Sequence, residues 1–305
     1  MLVCACLLAA YPLFAQLSFT KRTIDTSASG GFFIYAVDLD DDGDQDLLAA
    51  TLNSGIKWYR NNGGSFTRIN INTSFADSWS IHAADLDGDG DLDVVACSGG
   101  SEDWTGPSEI AWWENDGLEN FTKHTVDTES GHPHAVVAAD LDDDGDNDIA
   151  WAAWKAGAIY WLKNNGAGNF TRQTLDGGFS SGHTLYAADI NLDGRVDLAA
   201  GGGGRTAWYR NNGGTFTKNL IASGGAYGVY VADVNGDGSP DIVRGRRDNF
   251  DVDWLQGPGF TIRLIQAAWS EAWGVAAADL DGDGDTDIYA AAFAKNGGST
   301  ENRVS

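Results

Sequence analysis

The chain has 305 residues and a formal net charge of −25, from 44 acidic against 19 basic side chains, with 43% hydrophobic and 11% aromatic content. So much apolar and aromatic material excludes a disordered acidic chain. The negative charge excludes nucleic-acid binding through a global positive field, because phosphate would be repelled. Residues 1–15, MLVCACLLAAYPLFA, are apolar and uncharged. A bilayer span takes about 20 residues, and this run ends on a small residue before Gln16. It reads as a secretory signal peptide cleaved after Ala15, which makes 16–305 the folded region and the expected location secreted or cell-surface. Cleavage leaves Cys97 as the single cysteine, so no intrachain disulfide is expected. No other stretch reaches transmembrane length.

One nonapeptide recurs six times: DLDDDGDQD at Asp38, DLDGDGDLD at Asp85, DLDDDGDND at Asp140, DINLDGRVD at Asp189, DVNGDGSPD at Asp233 and DLDGDGDTD at Asp279. The intervals are 47, 55, 49, 44 and 46 residues. A short small-and-apolar run precedes each copy (IYAVD, VVAAD, VYVAD) and another follows it (LLAAT, VVACS, LAAGG). A third segment then carries Trp58, Trp112, Trp161, Trp208 or Trp254, and a Gly/Asn turn leads to a fourth, such as FTRINI or FTKHTV. Four β-type segments per unit of about 45 residues, with turn signals between, predict an all-β propeller of four-stranded blades. One such sheet cannot bury both faces, and stacking around an axis does so. The recurring tryptophans are expected to pack between sheets. The sixth unit stops before its tryptophan segment, while Leu17–Ile24 matches a fourth segment with no blade before it. An N-terminal strand closing the last blade is the expected arrangement, with either six or seven blades in a longer protein.

The nonapeptide places oxygen side chains at its first, third, fifth and ninth positions. A glycine at the sixth permits a sharp turn, and the carbonyl of the seventh can face inward. These positions are Asp38, Asp40, Asp42, Asp44 and Asp46; Asp85, Asp87, Asp89, Asp91 and Asp93; Asp140, Asp142, Asp144, Asp146 and Asp148; Asp189, Asn191, Asp193, Arg195 and Asp197; Asp233, Asn235, Asp237, Ser239 and Asp241; and Asp279, Asp281, Asp283, Asp285 and Asp287. Hard oxygen ligation on a flexible loop suits Ca²⁺ better than Mg²⁺ or zinc, so up to six structural Ca²⁺ ions are expected. The loop is not an EF-hand, because the twelfth position lacks a bidentate Glu and the ninth residue enters an apolar strand. The copies at Asp189 and Asp233 hold three Asp each, against five or six elsewhere. They are expected to bind most weakly.

These loops and their flanking strands resemble the FG-GAP repeats of integrin α-chain propellers, and still more the VCBS-type repeats of secreted bacterial proteins. The resemblance covers nearly all of the chain after residue 16, although the literal FG and GAP dipeptides are absent. It implies a calcium-loop propeller used in adhesion, lectin-like recognition or as an accessory domain. It also places the calcium loops on the face opposite the usual ligand face, where the metal is structural.

On that arrangement the residue six before each motif lies at the mouth of the central channel: Phe32, Trp79, His134, His183, Tyr227 and Trp273. The ring either plugs the channel or offers a platform for sugar rings. Loops on the same face bring Trp154, Lys155, Arg205, Arg246 and Arg247, with Arg244 at their start, and suggest an anionic glycan or acidic peptide ligand. GxSxG, HExxH, Walker and dinucleotide motifs are absent. The chain is therefore expected to be a non-catalytic recognition or adhesion module for a glycan or extracellular protein. A propeller-type polysaccharide lyase, or an accessory domain of a larger secreted enzyme, is the alternative.

Overall fold

The structure is a computed structural model and describes residues 22–27, 30–99, 108–267 and 271–293. The signal-peptide stretch, most of the expected closing strand (through Lys21) and the segment after Phe293 lie outside it. The described residues form six antiparallel sheets. Blade one is β1 Gly31–Val37, β2 Asp46–Thr51, β3 Gly55–Asn61 and β4 Phe66–Asn72. Blade two is β5 Ser78–Ala84, β6 Asp93–Ser98, β7 Glu109–Asn115 and β8 Phe121–Asp127. Blade three is β9 Pro133–Ala139, β10 Asp148–Ala153, β11 Ala158–Lys163 and β12 Thr171–Asp176. Blade four is β13 Thr184–Ala188, β14 Asp197–Gly202, β15 Arg205–Asn211 and β16 Phe216–Ser223. Blade five is β17 Ala226–Ala232, β18 Asp241–Arg246, β19 Val252–Gln256 and β20 Thr261–Gln266. The sixth sheet has β21 Glu271–Ala278 and β22 Asp287–Phe293. Strands pair in sequence order within every sheet, and the first strands of successive sheets pack on one another. This is a β-propeller, as the repeat predicts.

Burial follows strand position. The second strands β6, β10 and β14 are buried at every residue, because neighbouring blades cover both of their faces. That is why they read as continuous runs of small apolar residues rather than as alternating ones. The fourth strands lie at the outer edge, and β12 is mostly exposed, matching its polar sequence TRQTLD. The core is a series of interfaces between sheets. One apolar cluster joins Val95, Ile110 and Trp112 of blade two to Val136, Ile149 and Trp151 of blade three, and similar clusters join the other neighbouring pairs.

The blade tryptophans sit in these interfaces. Trp58, Trp112, Trp161 and Trp208 each meet the phenylalanine at or just before the start of the fourth strand of the next blade: Phe121, Phe170, Phe216 and Phe260, with centroids 6.2, 6.4, 5.9 and 5.5 Å apart. The first three pairs are edge-to-face, the arrangement favoured by the ring quadrupoles.

Candidate metal loops and the aromatic end

Each nonapeptide joins the first and second strands of its sheet. The six motif glycines have φ between 84° and 98°, a left-handed conformation open to glycine and strained for other residues. The resulting turn aims backbone amides at the first aspartate. Gly43, Gly90, Gly145, Gly194, Gly238 and Gly284 donate to Asp38, Asp85, Asp140, Asp189, Asp233 and Asp279 at 2.8–3.1 Å. The fifth-position aspartates Asp42, Asp89, Asp144, Asp193, Asp237 and Asp283 accept from the amide two residues on.

Carboxylate oxygens from Asp38, Asp40 and Asp42 lie within 4.8 Å of one another, as do those of Asp85, Asp87 and Asp93, of Asp140, Asp142 and Asp148, and of Asp279, Asp281 and Asp287. The copies at Asp189 and Asp233 bring an amide in place of the third-position carboxylate, from Asn191 and Asn235. Among the described residues, Asp40 Oδ1, Asp142 Oδ1 and Asn191 Oδ1 are buried oxygens at the third position with no hydrogen-bond partner. A buried acceptor left unpaired is costly. A hard cation at the centre of the loop satisfies it, so the donor set fits calcium.

The ninth-position aspartate has a second role that the repeat pattern does not reveal. Asp46, Asp93, Asp148, Asp197 and Asp241 are fully buried. One carboxylate oxygen of each accepts the second-position amide of its own loop, from Leu39, Leu86, Leu141, Ile190 or Val234. The other accepts an amide at the end of the third strand, from Asn61, Asn115, Asn164, Asn211 or Gly257, at 2.6–2.8 Å. Trp58 and Trp208 also donate Nε1 to Asp46 and Asp197. This aspartate therefore ties the loop to two strands, and Asp93 and Asp148 also belong to the carboxylate clusters. Burial pushes Asp93 up to about 7 and Asp148 up to about 6, against the pull of these amides.

The seventh-position side chains face the turn between third and fourth strands. Asp44 accepts from Gly63 N at 2.8 Å, and Arg195 reaches toward Asp143 of the preceding loop at 3.7 Å. Asp91 and Asp146 occupy the equivalent place, beside Gly117 and Gly166. Adjacent blades come close here: a Cβ on Gly214 of blade four would lie 2.8 Å from Asp142 Cβ of blade three.

The other end of the first strands lies about 20 Å away by strand rise. Five of the six expected ring positions meet there; the side chain of Phe32 lies outside the described part. Trp79 stacks on His134 at 4.1 Å, and Trp154 stacks on His134 at 5.8 Å. His134 Nδ1 and His183 Nδ1 are 3.2 Å apart. His183 stands edge-on to Tyr227 and Trp273, which stack on each other at 4.4 Å. Burial, reinforced by His183, His132 and Arg247, lowers His134 to about 2. Burial and then the Arg247 cation lower His183 to about 3. Both imidazoles are neutral at physiological pH.

The basic residues of this end are less uniform than the sequence suggests. Arg244 is wholly buried and forms a bidentate pair with Asp253, so it belongs to the blade interior and not to the loop surface. Its neutralising partner lies on the adjacent strand, where pairing sets Arg244 opposite Asp253. Arg246 lies 3.7 Å from both Asp251 and Asp253. Arg205 donates to Gly178 O at 3.4 Å, and Arg247 lies over the Tyr227 ring at 5.8 Å. The longest loop of this face, from Ser98 to Ser108, falls mostly outside the described residues.

Blades of sequence-paired strands, joined by acid loops with a glycine at the turn, define a repeat propeller with candidate metal centres. The chain belongs to the FG-GAP-like repeat family, which matches residues 38–96, 140–200 and 189–244, more than half of its length. Among solved structures, a lectin of Agrocybe aegerita, described as recognising non-reducing terminal N-acetylglucosamine, is similar at 24% identity and a TM-score of 0.53, over 78% of this chain and 67% of that one. A nidogen/laminin complex is similar at 13% identity and a TM-score of 0.55, over 81% and 85%. A complex of BBS1N with ARL6DN is similar at 14% identity and a TM-score of 0.57, over 87% and 78%. At these identities the likeness is one of fold. No curated protein sequence matches the chain. Among the described residues no helix is long and apolar enough to cross a membrane.

Proposed function

We propose that the protein is a secreted or cell-surface, calcium-stabilised propeller that binds a glycan or an extracellular protein without catalysing a reaction. Calcium is held by the first, third, fifth and ninth positions of the loops and the carbonyl of the seventh. It supplies positive charge that lets clustered carboxylates close a tight turn. The observation that carries the calcium reading is the buried, unpartnered Asp142 Oδ1, in a side chain only 9% exposed.

Recognition is assigned to the aromatic end. Half-buried His183, Tyr227 and Trp273, with Arg247 beside them, offer flat apolar faces next to hydrogen-bonding groups, the combination that suits a sugar ring. The resemblance in fold to a lectin makes glycans ending in N-acetylglucosamine sensible first probes. The test is binding to a glycan array by the wild type and by the Trp79→Ala, Trp273→Ala double variant. Binding that the double variant keeps unchanged removes this end from consideration. Release of unsaturated uronate from a polysaccharide by the wild type would instead favour a lyase.

A further inference from the structure

The side chain two residues after the blade tryptophan is Arg60, Glu114, Lys163, Arg210 and Gln256 in blades one to five. Pairing of the second and third strands places it beside the acid loop of its own blade. In blades three and four it reaches the third- or fifth-position oxygens. Lys163 Nζ contacts Asp142 Oδ2 and lies 3.2 Å from Asp144 Oδ2. Arg210 Nη2 lies 3.3 Å from Asp193 Oδ2. Arg60 pairs with Glu119 of blade two. Glu114 instead lies 2.8 Å from His124, Oε2 to Nε2, and among the described residues no ion pair reaches the loop at Asp85.

We propose that this third-strand position decides how strongly each loop takes up calcium: Lys163 and Arg210 are built-in cations that calcium must displace from the loops at Asp140 and Asp189, whereas Glu114 leaves the loop at Asp85 without one. The proposal rests on the calcium reading and alters what that reading would give from acid counts. The loop at Asp140 holds six Asp and the loop at Asp85 five, yet the loop at Asp85 binds more tightly. Ligand charge tunes such sites, and an ammonium on two of the oxygens cancels part of that charge. It also holds the empty loop together, since it offsets the mutual repulsion of Asp142 and Asp144.

The test is a calcium titration of the full chain followed at the motif glycine amides by NMR with isotope-labelled glycine. Gly145 and Gly90 report their own loops, through their bonds to Asp140 and Asp85 at 3.0 and 3.1 Å. Lys163→Gln is expected to lower the calcium midpoint at Gly145 by about three- to fivefold and leave Gly90 in place. Glu114→Lys, which puts an ammonium beside the loop at Asp85, is expected to raise the midpoint at Gly90 by a similar factor. Lys163→Arg, which keeps the charge, is expected to leave Gly145 near its wild-type midpoint. Absence of either shift, a shift shared by all loops, or an Arg variant that behaves like the Gln variant overturns the proposal while the calcium reading stands. A wild-type titration that moves no motif glycine overturns both.

Discussion

Asn211, at the end of the third strand of blade four, donates Nδ2 to the carbonyl oxygen of Leu141 in the acid loop of blade three at 2.9 Å. It also donates to Val196 O at 2.9 Å and accepts from Gly213 and Gly214 at 3.0 Å. The side chain is buried, so its partners have no water to fall back on. Asn164 does the same one blade earlier, reaching Leu86 O at 2.7 Å. Asn211→Ala is expected to cost about 1–3 kcal/mol in equilibrium urea unfolding. Asn212→Ala, next door and exposed, is expected to cost within about 0.5 kcal/mol. Equal effects would mean that the bond across the blade boundary contributes nothing particular.

The buried aspartates of the ninth position have a structural part that is separable from metal binding. Asp148 accepts from Leu141 N at 3.1 Å and Asn164 N at 2.7 Å. In EDTA, where calcium cannot contribute, Asp148→Ala is expected to destabilise by about 2–4 kcal/mol, because two buried amides lose a shared acceptor. A variant as stable as the wild type in EDTA would reduce this residue to a metal ligand.

Chelation is expected to lower the melting temperature by about 10 °C or more. Each site held well above its dissociation constant adds about 2–3 kcal/mol, and a domain of this size shifts by about 2–4 °C per kcal/mol. Differential scanning calorimetry with and without EDTA measures it. Superimposable curves would count heavily against calcium stabilisation.

His134 and His183 predict an acid-side loss of stability. Their folded values, about 2 and about 3, lie below the ordinary value of 6.5. The unfolded chain therefore takes up protons first as pH falls. Their contribution is complete above about pH 6.5 and is lost progressively toward pH 3. His183→Phe is expected to flatten the stability profile in EDTA between pH 7 and 5 by about 1 kcal/mol or more. A profile parallel to the wild type would show that the imidazole is solvated.

The repeat, the acid loops and the aromatic end are legible in the sequence because each is a matter of register. Residues at the same offset from a recurring motif come together when blades stack, so five of the positions six before a motif, Trp79, His134, His183, Tyr227 and Trp273, are foreseeable as neighbours without any knowledge of distance. The tryptophans are legible for the same reason. Asn211 and Asn164 are not, because which carbonyl they reach depends on the offset between neighbouring sheets, and their partners lie 70 and 78 residues away. The burial of Arg244 is equally hidden. Whether a charged side chain on β18 points outward or into a blade interface depends on pairing with β19, and only that pairing brings Asp253 opposite.

The asparagine and phenylalanine contacts between blades run in one direction. Blades two to five each offer a phenylalanine to the tryptophan of the unit before, and blades three and four add an asparagine that reaches a loop carbonyl there. The pattern is that of a head-to-tail polymer whose monomer carries both halves of its own joint. Duplicating or deleting one whole unit would therefore recreate a joint already present, whereas a cut elsewhere in the period would strand a tryptophan without its phenylalanine. Blade number can then drift over generations by integral steps, while the chemistry of each joint is inherited intact.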